Sequence, residues 1–397
     1  MALASGLDLC DEVPLAAAEP QQGMVPLRLF YFFSFGALGA LFPFLPLLLS
    51  ARGLDAVQIS WVMVLNPASN LLIPPLWSAL ADMLNARLVL LQVASVGCCA
   101  GCLLLLPAWG LWGNLLAMAF FSIFRAPLTS LADAAVYSAL GGRRAPFSSV
   151  RVWGSIGFGL CVLALGWLKG SMQPTLLLGI TGAIYLASAV ALLPLRKPPY
   201  LRERGVLRQS LQIMAHAPIL LFLVASALYY VGHSTYDAYF SLHIRSLGYG
   251  DEFIGLAWAI GVGVEVAVML VAPRFMGRFR SGLLLALCGA VAGVRWLALS
   301  LLVDAPGLLA LQSLHGVTFG LWYLALVQYI QNRAPDHLRT SLQSLTLSSM
   351  GLGMVLGYIG GGAVLGRWGG AWLYRAASVS AAAAMVVYLL SLLLDRR

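Results

Sequence analysis

Apolar residues occur in long continuous runs along this chain, separated by short segments that carry most of the charged residues. Each run is about 20 residues or longer, which is the length that an α-helix needs to cross the hydrocarbon core of a bilayer. The pattern predicts an all-α membrane protein with twelve transmembrane helices. Their approximate ranges are 25–49, 56–80, 87–107, 111–139, 149–168, 174–194, 217–243, 252–273, 281–303, 306–331, 341–366 and 370–394.

Composition and charge agree with this pattern. Hydrophobic residues form 60% of the 397 residues and charged residues only 10%, which excludes a soluble domain of this size. The net charge of +9 could suggest a nucleic-acid partner. However, sixteen of the 24 Lys and Arg residues fall on one side of the predicted bilayer, five on the other and three inside helices. This bias predicts that both termini are cytoplasmic, and it argues against nucleic acid as a partner.

The chain divides into two halves. Residues 1–24 are acidic and predict a short disordered cytoplasmic tail, and the charged loop 195–216 separates two six-helix bundles, 25–194 and 217–394. The segment from Gly53 to Ser60 resembles the segment from Gly248 to Gly255, at an offset of 195 residues, half the chain. The repeat predicts duplicated bundles that face a central cavity near the midplane.

Several ionisable residues lie inside the predicted helices, where a charge costs roughly 2.5–3.5 kcal/mol. We expect these residues to pair around an aqueous path and to bind a solute or a proton, although a static polar network is the alternative. Arg125, eight residues before Asp133, is either an outer-vestibule cation or an arginine whose side chain extends to the membrane interface. The main group is Asp133, Arg151, Glu265, Arg295 and His315.

The cysteines do not indicate a metal site. Five of the six lie inside predicted helices, and the Cys99-x-x-Cys102 spacing falls on an apolar helix without nearby His or carboxylate residues. We interpret them as packing residues. The sequence also has no phosphate-binding loop and no metal or Ser/His/Asp signature at membrane depth, so we expect no enzyme, no metal and no cofactor other than a coupling proton.

The loop after the second predicted helix reads Ser78-Ala-Leu-Ala-Asp82-Met-Leu-Asn85-Ala-Arg87. It resembles the G-x-L-A-D-x-x-G-R-R signature of the major facilitator superfamily, and the chain resembles that superfamily over its whole length. Asp82 and Arg87 match the signature, whereas Ser78, Asn85 and Ala86 depart from it. The resemblance implies two bundles that work by alternating access, with Asp82 and Arg87 as gating residues.

The buried charges resemble one branch of this superfamily more closely. Asp133 and Arg151 are 18 residues apart, Arg295 and His315 are 20 apart, and the segments SVRVWGS, VGVEV, GVRW and LQSLHGVTFG surround the charges. This arrangement is similar to the branch that contains lactose permease and, more closely, phenylpropionate permease. The resemblance implies a substrate site formed by Arg151, Phe158, Arg295, His233, Tyr236 and Tyr31. It implies proton coupling by Asp133, Glu265, His315 and Asp237.

Two departures from the lactose permease pattern affect the expected substrate and proton carrier. Thr318 stands where a proton-carrying glutamate is expected, which leaves the choice of carrier open. Phe158 stands where a tryptophan stacks on sugar, and it lies nearly two turns after Arg151 on the same helix face. An arginine beside an aromatic ring suits a small aromatic carboxylate, with Arg151 or Arg295 as its anchor.

We therefore expect a proton-coupled symporter that imports a small organic solute by alternating access, with an aromatic carboxylate such as phenylpropionate as the leading candidate. The alternatives are a proton-coupled sugar or nucleoside symporter and a proton-antiport efflux transporter for hydrophobic compounds. The expected partners are the solute and the lipid bilayer. We expect a monomer, as a multi-pass protein of the cell (inner) membrane.

Overall fold

A computed structural model describes residues 24–107, 109–140, 148–168, 173–195, 216–334 and 339–394. The regular structure in these residues is entirely helical. The first half of the chain contains α1 Met24–Leu41, α2 Leu45–Ala51, α3 Ala56–Leu84, α4 Arg87–Leu104, α5 Gly110–Arg125, α6 Pro127–Leu140, α7 Ser148–Trp167 and α8 Pro174–Ala191. The second half contains α9 Ala217–Ser246, α10 Asp251–Val271, α11 Pro273–Met276, α12 Ser281–Leu299, α13 Ala305–Gln312, the π-helical turn π1 Gly316–Leu321, α14 Trp322–Arg333 and α15 Arg339–Leu394. The predicted tail and nearly all of the predicted central loop lie outside the described residues.

Within the described ranges, eleven helical stretches are long and apolar enough to cross a membrane. The difference from the twelve predicted helices arises at α15, which continues over both of the last two predicted ranges. Its backbone breaks at Gly369, with φ 81° and ψ 177°. The two arms fold back on each other, because Ser349 donates a hydrogen bond to the carbonyl of Leu223 and Ser391 to that of Pro218, both near the start of α9.

The predicted helix 111–139 is also interrupted. It is divided into α5 and α6 at Ala126, immediately before Pro127. Proline has no backbone N–H to donate to the carbonyl four residues earlier, so the helix loses one internal hydrogen bond there. The break lies directly beside Arg125, which is the last residue of α5.

The repeated loop motif has the same backbone conformation in both halves. Gly53 has φ 85° and Gly248 has φ 92°, and each follows one helix and shortly precedes the next. Left-handed φ values are strained for residues with a Cβ, which explains glycine at both positions. In the first copy, Asp55 and Gln58 then form a reciprocal capping box at the start of α3, with N–O distances of 2.8 and 3.1 Å.

The two halves contact each other closely at the end of the molecule that carries Gly53 and Gly248. A Cβ on Gly166 of α7 would lie 2.8 Å from the carbonyl oxygen of Asp251 and 2.9 Å from the Cα of Gly255 in α10. A Cβ on Gly362 of α15 would lie 2.5 Å from the Cβ of Ser60 in α3. At this end, therefore, α7 meets α10 and α3 meets α15 with backbone close to backbone, and the halves are closed together.

Candidate functional site

A cavity of about 300 Å³ lies between the two halves. Such a volume is at the lower end of the range for small-molecule sites. Its ionisable lining residues are Arg125, Arg151, His233, Asp237, Glu265 and His315, and its aromatic lining residues are Phe35, Phe42, Phe158, Trp258, Phe319 and Tyr358. Both halves contribute to the charged and the aromatic parts of the wall. The cavity can therefore contact an apolar ring and a charged group of one solute at the same time.

Arg295 lies behind the wall, and its side chain is only 1% exposed. Its guanidinium donates hydrogen bonds to Thr318 Oγ1 at 2.8 Å and to Gln312 Oε1 at 3.0 Å. The rings of Tyr236 and Trp296 lie over it, with their centroids 4.6 Å away. In this conformation Arg295 is thus surrounded by protein groups and does not line the cavity.

The contacts of His315 fix where its proton lies. Its Nδ1 is 3.1 Å from an Arg295 nitrogen, and an arginine can only donate, so Nδ1 accepts this hydrogen bond. In the neutral imidazole the proton is then on Nε2, which lies 3.6 Å from Glu265 Oε2. The side chain stands at the start of π1, and π-helical turns often occur at functional sites.

Glu265 is the carboxylate at the boundary between the halves. Its side chain belongs to α10, yet Ser155 of α7 donates a hydrogen bond to it at 3.4 Å, and Arg151 interacts with it electrostatically. It is 6% exposed and lines the cavity. Any separation of α7 from α10 at this depth would change the surroundings of this carboxylate.

The first half supplies Arg151 with an aromatic partner other than the predicted one. The guanidinium carbon lies 4.1 Å from the ring centroid of Phe35, which stacks on Tyr31 with an interplanar angle of 3°. The Tyr31 hydroxyl donates to Asp133, and Arg151 also interacts electrostatically with Asp133. Neither Tyr31 nor Asp133 lines the cavity in this conformation, but they interact with Arg151 and Phe35, which do.

Of the remaining predicted site residues, three line the cavity and Tyr236 does not. Phe158 lines the cavity together with Arg151, but its ring neighbour is Trp258, at 6.0 Å, in the opposite half. His233 and Asp237 also line it, with His233 Nε2 3.9 Å from Asp237 Oδ1. Tyr236 is buried, and its hydroxyl donates to Gln312 Oε1 at 2.9 Å.

Sequence reasoning missed three polar residues of this region, Asn66, Asn70 and Gln312, and left two alternatives for Arg125. Arg125 does not reach the interface as a snorkelling side chain would, since it is 8% exposed and lines the cavity together with Asn66 and Asn70 of α3. Gln312 joins Arg295 to Tyr236. The available signals were the four-residue spacing of Asn66 and Asn70 and the three-residue spacing of Gln312 and His315, both of which place polar residues on one helix face.

The predicted gating residues lie far from the cavity, at the end of α3. Asp82 Oδ1 is 3.6 Å from a terminal nitrogen of Arg87, across a turn in which Asn85 has a left-handed φ of 46°. In the part of the chain that the structure describes, no three His, Cys, Asp or Glu side chains are grouped to hold a metal ion.

Comparisons with known proteins agree with this architecture. The chain is 29% identical to the maltose permease of Geobacillus stearothermophilus over 378 residues, covering 91% of this chain and 93% of that protein. It is 27% identical to the probable 3-phenylpropionic acid transporter of Escherichia coli strain K12, covering 77% and 82%. The crystal structure of the nucleoside transporter NupG has the same fold, with a TM-score of 0.80 at 15% identity over 95% of this chain and 100% of that one.

Residues 24–376 match the MFS_1 like family. This match covers every described helix that contributes to the cavity. The chain therefore belongs to the MFS_1 like family, and it is a multi-pass membrane transporter of the major facilitator type.

Proposed function

We propose that this protein is a proton-coupled secondary transporter that imports a small organic anion, with an aromatic carboxylate such as phenylpropionate as the leading candidate. The observation that carries this proposal is the balance of buried charge. Within the described membrane-spanning segments, the interior arginines are Arg125, Arg151 and Arg295, and the interior carboxylates are Asp133, Asp237 and Glu265.

These charges cancel when all six groups are ionised and the histidines are neutral. A monoanion that entered alone would leave a net negative charge in a low-dielectric interior, and a proton that entered alone would leave a net positive one. Uncompensated charge is costly there, whereas a proton and a monoanion together restore neutrality. The balance therefore favours joint movement of the two over movement of either one.

The coupling step would take place at Glu265. A proton on this carboxylate weakens its interactions with Ser155 and Arg151, both on α7, and so weakens the contact between the halves. The neutral His315 directs its Nε2 proton at Glu265 and so favours the ionised form of this carboxylate. Asp133, Asp237 and His315 would then serve as neighbours that adjust this site, with Glu265 as the main carrier.

The orientation follows from the charge bias of the loops. With both termini cytoplasmic, each arm of α15 crosses the membrane once, which makes twelve crossings, and the closed end with Gly53 and Gly248 faces outward. The protein would then be closed to the outside, and Asp82 and Arg87 would act at the cytoplasmic side when that side closes. We expect a monomer in the inner membrane.

A second candidate solute is a sugar or a nucleoside. The similarity to a maltose permease, and the shared fold of a nucleoside transporter, favour it. The acceptors Glu265 and Asp237 would suit hydroxyl donors on such a solute. Antiport of hydrophobic compounds is the third possibility, although so many fixed charges in the cavity favour it less.

The test uses purified protein in liposomes with a pH-sensitive dye inside and no imposed gradient. We expect external 3-phenylpropionate to cause proton entry beyond that of protein-free liposomes. The signal should be lost in Glu265→Gln and kept in Glu252→Gln, an exposed glutamate on the same helix. A signal with maltose or uridine but not with the acid would establish the second candidate. Normal proton entry in Glu265→Gln would refute the proposed carrier.

A further inference from the structure

We propose that Arg125, which lines the cavity together with Asn66 and Asn70, is the anion-binding subsite of the cavity and that it takes the carboxylate of the solute. This inference rests on the proposed function and specifies which side chain recognises the substrate. The sequence had pointed to Arg151 or Arg295 for this role. Three features of the structure, namely depth, missing countercharge and neighbouring side chains, favour Arg125 instead.

Arg125 stands at the middle of its membrane crossing. It lies fifteen residues after Gly110, where α5 begins, and fifteen before Leu140, where α6 ends. At 1.5 Å per residue, each end is about 22 Å away. The start of α5 is held at the closed end, because Arg52 in the loop before α3 donates to Asn114 at 2.9 Å. A side chain at this depth cannot reach either interface.

Arg125 also differs from the other two buried arginines in lacking a countercharge. Arg295 has Gln312 and Thr318 as acceptors, and Arg151 has Asp133 and Glu265 as electrostatic partners. Among the described residues, no carboxylate lies within ion-pairing distance of Arg125, and its buried Nε has no hydrogen-bond acceptor. Its interaction partners in the protein interior are the uncharged Tyr185 and Cys98.

The division of charge between the halves leads to the same assignment. The first half holds two interior arginines and one carboxylate, and the second half holds one arginine and two carboxylates. Because Asp133 can balance Arg151, the excess positive charge of the first half belongs to Arg125. An anion bound there and a proton bound to Glu265 or Asp237 would neutralise both halves separately. One uncompensated arginine suits a monoanion better than a phosphate ester with nearly two charges.

The neighbouring side chains complete a site for a carboxylate. Asn66 and Asn70 lie one turn apart on α3 and line the cavity together with Arg125. Asn66 is 8% exposed, and its Oδ1 has no hydrogen-bond partner among the described residues, so no such bond opposes the rotation that would present the NH₂ group instead. An arginine fork and amide donors are the groups that bind a planar carboxylate. Phe35 and Phe158 line the same cavity and can contact the attached ring.

The experiment measures binding to purified full-length protein by calorimetry, with 3-phenylpropionate and its uncharged amide, 3-phenylpropanamide. Arg125→Gln should raise the Kd of the acid by roughly 30- to 4000-fold, the range for removing one partner of a buried charge pair. The Kd of the amide should change little. Arg125→Lys keeps the charge without the fork and should lose less. Arg274→Gln is the control, because this arginine is exposed and its one hydrogen bond among the described residues goes to the Leu270 carbonyl near the end of α10.

Thermal unfolding provides a second readout. A buried cation without a countercharge is destabilising, so Arg125→Gln without ligand should unfold at the same or a higher temperature than the wild type. It should also lose the stabilisation by the acid. An arginine with a purely structural role would give a lower unfolding temperature instead, which would overturn the proposal.

Three further outcomes would overturn it. They are unchanged affinity for the acid in Arg125→Gln, equal loss of affinity for acid and amide, and wild-type binding of maltose or uridine without binding of the acid. None of these would refute proton-coupled transport, which the dye assay tests separately. Conversely, specific loss of acid binding in Arg125→Gln, with no proton entry in the dye assay, would leave the subsite standing and refute symport.

Discussion

At the scale of single residues, the three buried arginines differ in what surrounds their guanidinium groups. Arg295 donates to side-chain acceptors and packs against two aromatic rings. Arg151 lies over Phe35 and interacts with carboxylates of both halves. Arg125 has no carboxylate within ion-pairing distance among the described residues and interacts with the uncharged Tyr185 and Cys98. In our proposal the three arginines therefore have different roles. Arg295 stabilises the second half, Arg151 joins the halves and Arg125 binds the solute.

The stabilising role of Arg295 can be tested through its acceptor. Gln312→Leu removes the oxygen that accepts from both Arg295 and Tyr236, and the buried charge is left with fewer partners. We expect the free energy of unfolding to fall by about 1.5–3 kcal/mol, the usual contribution of a hydrogen bond to a charged group. Thermal unfolding in detergent would measure the change.

Gln328→Leu is the matched control for this prediction. Its Oε1 is buried but has no hydrogen-bond partner among the described residues, so its removal should change stability little. If the two variants unfolded at the same temperature, Gln312 would not be holding Arg295 in place.

The sequence could indicate which charges are buried but not which of them meet the solute. An ionisable residue in an apolar run is visible from composition alone, and Arg151, Glu265 and His315 were found in that way. Whether a side chain faces the cavity depends on helix rotation and on partners far away in sequence. Asp133 illustrates this, because it bonds to Tyr31, 102 residues earlier, and lies outside the cavity wall.

At the scale of helices, the closed end depends on glycines that allow α7 and α10 to touch. The Cα of Gly255 would lie 2.9 Å from a Cβ at Gly166, a distance that real Cβ contacts do not reach. Gly166→Leu should therefore force α7 and α10 apart at this end and favour a conformation that is open there. The solute should still bind, but net transport should fall because the closed state is no longer reached.

Accessibility of the cavity would measure this shift. A cysteine introduced at Asn70, an exposed cavity residue, can be labelled with a membrane-impermeant maleimide added from the side of the closed end. Labelling should increase in Gly166→Leu. Gly263→Leu, on α10 at a position where a Cβ meets nothing within 4 Å, should label as the parent does. Equal labelling of the parent with the cysteine at position 70, of its Gly166→Leu variant and of its Gly263→Leu variant would contradict the role of Gly166 in closing this end.

Helix positions were largely predictable, whereas helix breaks were not. Apolar length alone placed the spans, because a bilayer imposes one length on every crossing. The interruption at Ala126 and the turn at Gly369 depend on one residue each within an apolar context. A hydropathy profile does not detect such local backbone changes. Pro127 in the sequence nevertheless indicated the interruption at Ala126.

At the scale of the whole molecule, the balance of interior charge predicts the electrical behaviour of transport. If one proton moves with each monoanion, no net charge crosses the membrane. We expect an inside-alkaline pH gradient to drive accumulation of radiolabelled 3-phenylpropionate into liposomes at a higher initial rate than in protein-free controls. A membrane potential of either sign, imposed by valinomycin and potassium at equal pH, should not drive accumulation of the acid. Accumulation driven by the potential alone would contradict the one-to-one coupling.

The opposite charge excess of the two halves also bears on how such a chain could arise. Gly53 and Gly248, with the same backbone conformation at equivalent places, indicate that the halves descend from one ancestral sequence. Two identical subunits must carry identical charges, so a symmetric dimer of that ancestor could not hold a surplus cation on one side and a surplus carboxylate on the other. Only after gene duplication, when each half could mutate independently, could the pairing of a proton with an anion evolve.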